Sequence, residues 1–218
     1  STGLLASSIR NEVPAKAVTT AYSYDGLGRL TQISEGNGTA VTTVDYVVST
    51  SERSITVTSP EEVETREYFD QLWRTAQTVN EQAATQVLTG YKTSGSSNYT
   101  LVSNPHSTGG SPDGWTLTTR DTANRVTRVE TFEGSSQPSP FGSNSSSTGA
   151  VVTSYSGDLT TVTDQASKVR QNRTDSAGRL VEVIENPGGL NYITLYAYNP
   201  LDNLTGVTQG AQTRSFAY

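Results

Sequence analysis

The chain has 218 residues, a net charge of −6 and 33% hydrophobic residues, and it contains neither Cys nor Met. The absence of Cys excludes disulfides, thiolate metal sites and a Cys nucleophile. No basic run is present, which argues against nucleic-acid binding because phosphate contacts need clustered Lys and Arg. No apolar run approaches the about 20 residues that a transmembrane helix requires.

The composition favours β-strands joined by tight turns. The sequence holds 27 Ser and 34 Thr, together with 19 Gly. Threonine suits the pleated surface of a sheet, while Ser, Gly, Asn and Asp suit turns. Intrinsic disorder is the alternative, but the 11 Tyr, 2 Trp and 4 Phe argue against it over most of the length. We therefore expect an all-β fold.

The first recognisable element is a hairpin at residues 22–30. Tyr22 and Tyr24 are two residues apart and share one face of a strand. Asp25 then opens a type I turn, because its carboxylate accepts hydrogen bonds from backbone N–H groups just ahead. Gly28 occupies the fourth position, where a positive φ is needed, and Arg29 begins the return.

The same phrase returns in looser form at residues 69–75, 120–126, 174–180 and 198–204. A recurring unit of this kind indicates a repeat array rather than a single pocket. Asn is the best non-glycine residue for a left-handed position, whereas Trp is unsuited to it. We therefore expect the turn at Asp70, which has Trp73 in the fourth position, to be built differently or strained. The turn residues are Asp70 and Arg74; Asp121, Asn124 and Arg125; Asp175, Gly178 and Arg179; and Asn199 and Asp202.

Apolar residues recur three apart after the turns, at Leu30/Ile33, Val126/Val129, Leu180/Val183 and Leu204/Val207. This spacing is helical, but no such segment reaches helical length before the next Gly. A strand that carries a β-bulge explains it better, because one extra residue shifts the alternation by one.

A companion phrase precedes three of the turns. Asp164 lies 11 residues before Asp175, Ser59 lies 11 before Asp70, and Ser111 lies 10 before Asp121. We interpret these phrases as the opposite turns of the same meander.

Two stretches rich in Ser, Gly and Pro, residues 92–114 and 133–149, are predicted as long surface loops within one array over residues 1–218. An interdomain linker at 133–149 is the alternative. Residues 1–15 are expected to be less regular. The chain starts at Ser1 and ends within a predicted strand, so we expect it to be a piece of a longer protein.

These phrases resemble the YD repeat of the Rhs family, whose pattern is approximately Tyr-Asp-x-x-Gly-Arg-Leu. The family includes bacterial Rhs and wall-associated proteins, toxin-complex cocoon subunits and teneurins. The resemblance covers the chain from about Tyr22 to Tyr218, with the fullest match at residues 24–30. Asp164 matches the companion phrase, with Ser167 where Gly is usual.

The resemblance implies a long strip of β-hairpins wound into a curved or spiralling sheet, the wall of a hollow shell. In several members that shell encloses a toxic C-terminal domain. The family's self-cleavage motif is not found in this sequence, so neither autoproteolysis nor a toxin activity carries over.

Candidate catalytic groups are few. The only His is His106, in the predicted loop 92–114, and we interpret it as a polar loop residue. Glycoside hydrolysis needs two carboxylates at a set separation, and nothing in the sequence places acidic pairs such as Glu61/Glu62 or Asp158/Asp164 at that separation. Solvated strand-face or turn carboxylates are the simpler account. No acidic run has the spacing of a calcium loop. We therefore predict neither a metal nor another cofactor.

The recurring Arg residues are expected to pair with the Asp of the same or a neighbouring hairpin. Trp73 and Trp115 are the candidate glycan contacts, because exposed aromatic side chains stack on sugars. Packing within the sheet is the competing role for both.

We therefore predict a non-enzymatic structural segment of an extracellular or cell-surface protein, part of a shell or fibre wall. Expected partners are other copies of the chain or neighbouring repeats, with an enclosed toxin domain or surface glycans as further candidates. A carbohydrate-binding module is the alternative function, and an enzyme with a carboxylate site ranks third.

Overall fold

The computed structural model describes residues 3–12, 16–36 and 38–218. In these residues the chain forms nineteen β-strands and no helix, and every registered strand pair is antiparallel. The predicted all-β array of hairpins is therefore confirmed. The described residues accordingly hold no helix of the length and apolarity needed to cross a lipid bilayer.

The chain divides into two compact units. The first unit comprises Ser1–Gly90 and Val102–Asp113, and the second comprises Tyr91–Leu101 and Gly114–Tyr218. Each unit is an array of antiparallel strands.

The first unit is a meander in which each strand pairs with the next, from β1 to β8. A short strand, β10, pairs with the beginning of β8. The strands are β1 (Ser7–Glu12), β2 (Lys16–Tyr24), β3 (Leu30–Glu35), β4 (Ala40–Val48), β5 (Arg53–Thr58), β6 (Glu64–Phe69), β7 (Thr75–Asn80), the first six residues of β8 (Thr85–Ser94) and β10 (His106–Ser107).

The second unit is a meander from β11 to β19 and also holds most of β9. The strands are β9 (Ser97–Ser103), β11 (Gly114–Arg120), β12 (Val126–Glu133), β13 (Gly149–Ser156), β14 (Leu159–Thr163), β15 (Val169–Thr174), β16 (Leu180–Glu185), β17 (Tyr192–Tyr198), β18 (Leu204–Gln209) and β19 (Gln212–Ser215).

A β-bulge follows each of the five phrase turns. In the first, Tyr24 pairs with Leu30 and Ser23 with Gln32, so Thr31 is the extra residue. The same shift occurs at the start of β7, β12, β16 and β18. The extra residue explains why Leu30 and Ile33 are three apart, since it moves the alternation by one position.

The best-packed part of the second unit surrounds β11 and β12. Trp115 and Phe132 lie directly opposite each other across these strands and are both buried. Leu117, two residues along β11, and Leu101 on β9 are buried as well. Aromatic pairs of this kind stabilise a sheet through the apolar area that they remove from water.

The predicted loop at residues 92–114 is largely wrong. This stretch contains the end of β8, most of β9 and β10. Gly95, at a φ of 59°, and Ser96 form a two-residue turn between β8 and β9, which is the connection that a tight hairpin prefers. Residues 134–148 do connect β12 to β13 without a strand. Within the predicted irregular segment 1–15, Ser7–Glu12 forms β1, and residues 1, 2 and 13–15 lie outside the described residues.

Candidate functional site

The repeated turn is the feature that the sequence marks most strongly, and Asp25 organises its first copy. One carboxylate oxygen of Asp25, Oδ1, accepts hydrogen bonds from the backbone N–H groups of Leu27 and Arg29, both at 2.9 Å. The other oxygen, Oδ2, accepts from Nε of Arg29 at 2.7 Å. The N–H of Gly28 donates to the Asp25 carbonyl at 3.0 Å, which closes a type I turn, and Gly28 has a φ of 78°.

The same arrangement forms at the three other Asp–Arg turns. In each, Oδ1 accepts from the N–H groups two and four residues ahead, and Oδ2 accepts from Nε of the Arg at 2.8 Å. A terminal nitrogen of each Arg also approaches Oδ2 at 2.7 Å, so the ion pair is two-pronged. These turns are Asp70/Arg74, Asp121/Arg125 and Asp175/Arg179.

The fourth turn residue takes a positive φ whatever its type. The φ values are 59° for Trp73, 62° for Asn124, 81° for Gly178 and 69° for Asp202. The turn at Asp70 therefore has the same hydrogen bonds as the others, and the idea that it is built differently is wrong. Trp73 instead has a left-handed backbone conformation, which residues with bulky side chains rarely adopt.

The turn at Asn199 shows which interactions are sufficient. The Asn199 side-chain oxygen accepts from the N–H groups of Leu201 and Asn203, both at 3.0 Å, although an amide cannot form an ion pair. The hydrogen bonds to the backbone therefore define the turn, and the Arg is an addition to it. Arg179 from the neighbouring hairpin also reaches this turn, with contacts to the Asn199 carbonyl at 3.3 Å and to Asp202 at 3.4 Å.

Two companion turns lie at the opposite ends of their strands. Asp164 accepts from the N–H groups of Ala166 and Lys168, and the Ser59 hydroxyl accepts from those of Glu61 and Val63. No register shift follows either turn, which distinguishes both from the five phrase turns. The third predicted companion, at Ser111, is not a hairpin turn; its residues connect β10 to β11.

Tyrosines on the following strands anchor three of these turns. The hydroxyl of Tyr46 donates to the Leu30 carbonyl at 3.0 Å, that of Tyr155 to the Val126 carbonyl at 2.9 Å, and that of Tyr198 to the Leu180 carbonyl at 3.0 Å. Each acceptor is the first residue of the strand that returns from a phrase turn. We name these side chains, Tyr46, Tyr155 and Tyr198, the clamp tyrosines.

The clamp tyrosines also contact the turn arginines. The guanidinium carbon lies 4.4 Å from the ring centre for Arg29 over Tyr46, 4.4 Å for Arg125 over Tyr155 and 5.1 Å for Arg179 over Tyr198. A cation over an aromatic ring contributes about 0.5–1 kcal/mol at an exposed site.

The sequence interpretation missed Tyr46 and Tyr155 as functional residues, because neither is followed by Asp or Asn. Tyr198 lies in a phrase, directly ahead of Asn199. The signal that identifies these tyrosines is the register of the sheet, which brings each one to the first residue of a returning strand.

The turn carboxylates are held in their ionised form. Hydrogen bonds from the Arg29 and Arg74 backbone N–H groups are the main reason why the pKa values of Asp25 and Asp70 lie below the ordinary 3.8. The Arg125 and Arg179 side chains are the main cause of the lowered pKa values of Asp121 and Asp175. A low pKa suits a hydrogen-bond acceptor and does not suit a general acid at neutral pH.

The other candidate catalytic groups are also engaged. His106 is buried; its Nδ1 lies 2.9 Å from the Asn104 carbonyl and its Nε2 lies 3.0 Å from the Gln86 amide nitrogen. Because a carbonyl only accepts, Nδ1 donates to it, and the Gln86 side chain engages Nε2, so both ring nitrogens have a partner. Glu61 accepts from Ser59, and Asp158 accepts from Arg173. Within the described ranges, no three His, Asp or Glu side chains come together as a metal site.

The two tryptophans have different surroundings. Trp115 is 3% exposed and its indole N–H donates to the Ser135 carbonyl at 3.2 Å, so it packs in the sheet and the glycan-contact prediction for it is wrong. Trp73 is 52% exposed. Its ring lies 5.8 Å from the Phe69 ring, and the guanidinium carbon of Arg53 lies 5.9 Å from its centre.

Comparison with known proteins agrees with the repeat. The family model described as RHS Repeat matches residues 14–40, which include the whole Asp25 turn. No curated protein matches the chain. Over residues 14–40 the chain therefore resembles the RHS Repeat, and the turn hydrogen bonds to the backbone in this segment recur in the four looser phrases.

Proposed function

We propose that this chain is a non-enzymatic structural segment of a secreted or cell-surface Rhs-type protein. In that role it builds the wall of a β-shell or of a self-assembling extracellular fibre. The observation that carries the proposal is that the carboxylate and the guanidinium of each Asp–Arg pair stabilise the turn of their own hairpin. In each Asp–Arg turn, one carboxylate oxygen accepts two backbone N–H groups and the other accepts the guanidinium. A catalytic base needs an accepting atom that is free to face the substrate.

The contacts between hairpins support the same role. A wall needs each hairpin to be fixed to the next, and the clamp tyrosines do this with a hydrogen bond and a ring contact at the same turn. Arg179 adds a direct contact between two neighbouring turns. These interactions repeat with the hairpins, as a structure that grows by repetition requires.

The partners that suit such a wall are neighbouring repeats or further copies of the chain, because a sheet edge offers unpaired N–H and C=O groups. If the wall forms a shell, a toxin domain inside it is a further candidate partner. The net charge of −6 does not favour nucleic acid.

Electron cryo-microscopy of the natural full-length protein that contains this segment tests the proposal. We expect residues 1–218 to form continuous wall density with strands about 4.8 Å apart. If the segment instead forms a separate globular module outside any shell or fibre, the proposal is wrong.

A second candidate function, glycan binding, rests on Trp73. Its large exposed ring occupies the turn position where other copies have Gly, Asn or Asp, and a residue in a rare backbone conformation is a reason to look for a function. Binding on a glycan array that is lost in Trp73→Ala would support this candidate. The matched control is Leu72→Ala, which removes the adjacent exposed side chain. Equal binding by the parent and both variants, or no binding at all, would dismiss it.

A further inference from the structure

A fourth tyrosine makes the same hydrogen bond as the clamp tyrosines, but at a place where the chain has no complete turn. The Tyr24 hydroxyl donates to the Leu5 carbonyl at 2.8 Å. Leu5 precedes β1 and follows only four residues of the chain.

The register of the sheet shows that Leu5 is equivalent to Leu30, Val126 and Leu180. The four tyrosines and their acceptors lie in or next to the strand pairs β1/β2, β3/β4, β12/β13 and β16/β17. The first residues in register in these strand pairs are, in the same order, Ser7↔Ala21, Gln32↔Thr43, Arg128↔Val152 and Glu182↔Leu195. In every case the carbonyl acceptor lies two residues before the first member of the pair. The tyrosine lies three residues after the second member.

The backbone at Gly3 agrees with this equivalence. Two residues before each acceptor lies the left-handed fourth residue of a turn, namely Gly28, Asn124 or Gly178. Two residues before Leu5 lies Gly3, with a φ of 68°. Gly3 therefore corresponds to Gly28, the last residue of the Asp25 turn. Leu4 and Leu5 correspond to the two residues that follow that turn, Arg29 and Leu30. The Leu4 side chain also lies beside the next turn, 3.4 Å from where a Cβ on Gly28 would be.

We propose that the outer edge of β1 is the docking site for one further β-strand, and that this strand ends in Asp or Asn directly ahead of Ser1. Among the described residues the registered partner of β1 is β2, on one side. The position directly ahead of Ser1 is three residues before Gly3, which is the distance from Asp25 to Gly28. The inference rests on the proposed array function, because it assumes that the repeat continues past this edge.

The chemistry of the incoming residue follows from Leu4. Leu4 stands where the four Asp turns have Arg, so the new turn has no ion pair and only the hydrogen bonds to the backbone hold it. Asn199 forms such a turn without an ion pair. Asp and Asn should therefore serve equally well, whereas Ala should not.

A strand fused to the full chain tests the proposal. The ten residues of Lys16–Asp25 are copied directly ahead of Ser1, so that the copied Asp precedes it. One control has Ala in place of the copied Asp, and a second has one Gly inserted between that Asp and Ser1. A further variant has Asn in place of the copied Asp. Amide hydrogen exchange of residues 5–12 is measured by mass spectrometry.

We expect the Asp and Asn extensions to slow exchange in residues 5–12 by about tenfold, and both controls to slow it much less. The thermal midpoint should rise in the same order. Unchanged exchange in all four proteins, or equal slowing in all four, would overturn the proposal. So would concentration-dependent protection of β1 in the unextended chain, since a second copy would then be the occupant. The microscopy of the natural protein is independent of this result, so the two proposals fail separately.

Discussion

The Tyr46 hydroxyl donates a hydrogen bond to the Leu30 carbonyl at 3.0 Å, and this contact joins two neighbouring hairpins. Leu30 is the first residue of β3, the strand that returns from the Asp25 turn, and it directly precedes Thr31, the extra residue of the bulge. The same ring lies under the Arg29 guanidinium, which is held by Asp25. A single side chain thus fixes the carbonyl at the bulge and the arginine of the turn.

Tyr46→Phe should lower the free energy of unfolding by about 0.5–1.5 kcal/mol, because it removes one hydrogen bond and keeps the ring. Tyr46→Leu should cost more, since it also removes the contact with Arg29. Urea unfolding followed by circular dichroism measures both. Tyr192→Phe is the matched control, because Tyr192 is exposed. Equal effects of Tyr46→Phe and Tyr192→Phe would show that the clamp contributes nothing.

Gly178→Ala should destabilise the chain by about 1 kcal/mol, because a Cβ is unfavourable at a left-handed φ of 81°. No atom lies within 4 Å of the added Cβ, so the cost comes from the backbone alone. Gly188→Ala is the control, since Gly188 also has open space and its φ is not positive. Thermal unfolding of the two variants compares them. A neutral Gly178→Ala would contradict the assigned turn.

Stability should fall in acid because the pKa values of Asp25, Asp70, Asp121 and Asp175 are lowered in the folded chain. A group with a lowered folded pKa contributes its stability above its unfolded value, near 3.8, and loses it as the pH falls through the folded value. We expect carboxyl carbon NMR titrations of these residues to have midpoints below 3.8. Titration at or above 3.8 would mean that the hydrogen bonds do not favour the ionised form.

Trp115→Ala should cost about 3–5 kcal/mol, because it removes a buried aromatic side chain opposite Phe132. Trp73→Gly should change stability by no more than about 1 kcal/mol. It loses the contact with Phe69 but relieves a bulky residue at a φ of 59°. Chemical denaturation of the two variants side by side checks this contrast. Similar losses would place Trp73 in the packed sheet as well.

The hairpins and bulges could be predicted from the sequence because their causes are local. Asp25 and Gly28 fold the chain within four residues, and the spacing of Leu30 and Ile33 reveals the extra residue that follows. The clamp by Tyr155 could not be predicted in this way, since it depends on which residues face each other across β12 and β13, beyond the connection at 134–148.

The hairpin around Gly95 shows the opposite error. The richness of the surrounding stretch in Ser and Gly predicts that Ser94, Gly95 and Ser96 belong to a loop. The same residues provide the left-handed φ of a two-residue turn, with strands on both sides. Composition alone does not distinguish a loop from a tight hairpin.

The most direct test of a scaffold built from these turns is a paired set of variants at Asp25, Asp70, Asp121 and Asp175, each changed to Ala and to Asn. Thermal unfolding midpoints are measured at neutral pH. Every Ala variant should unfold at a lower temperature than its Asn partner, because Asn keeps the hydrogen bonds to the backbone as Asn199 does. Ala variants that unfold together with the parent chain would contradict the account.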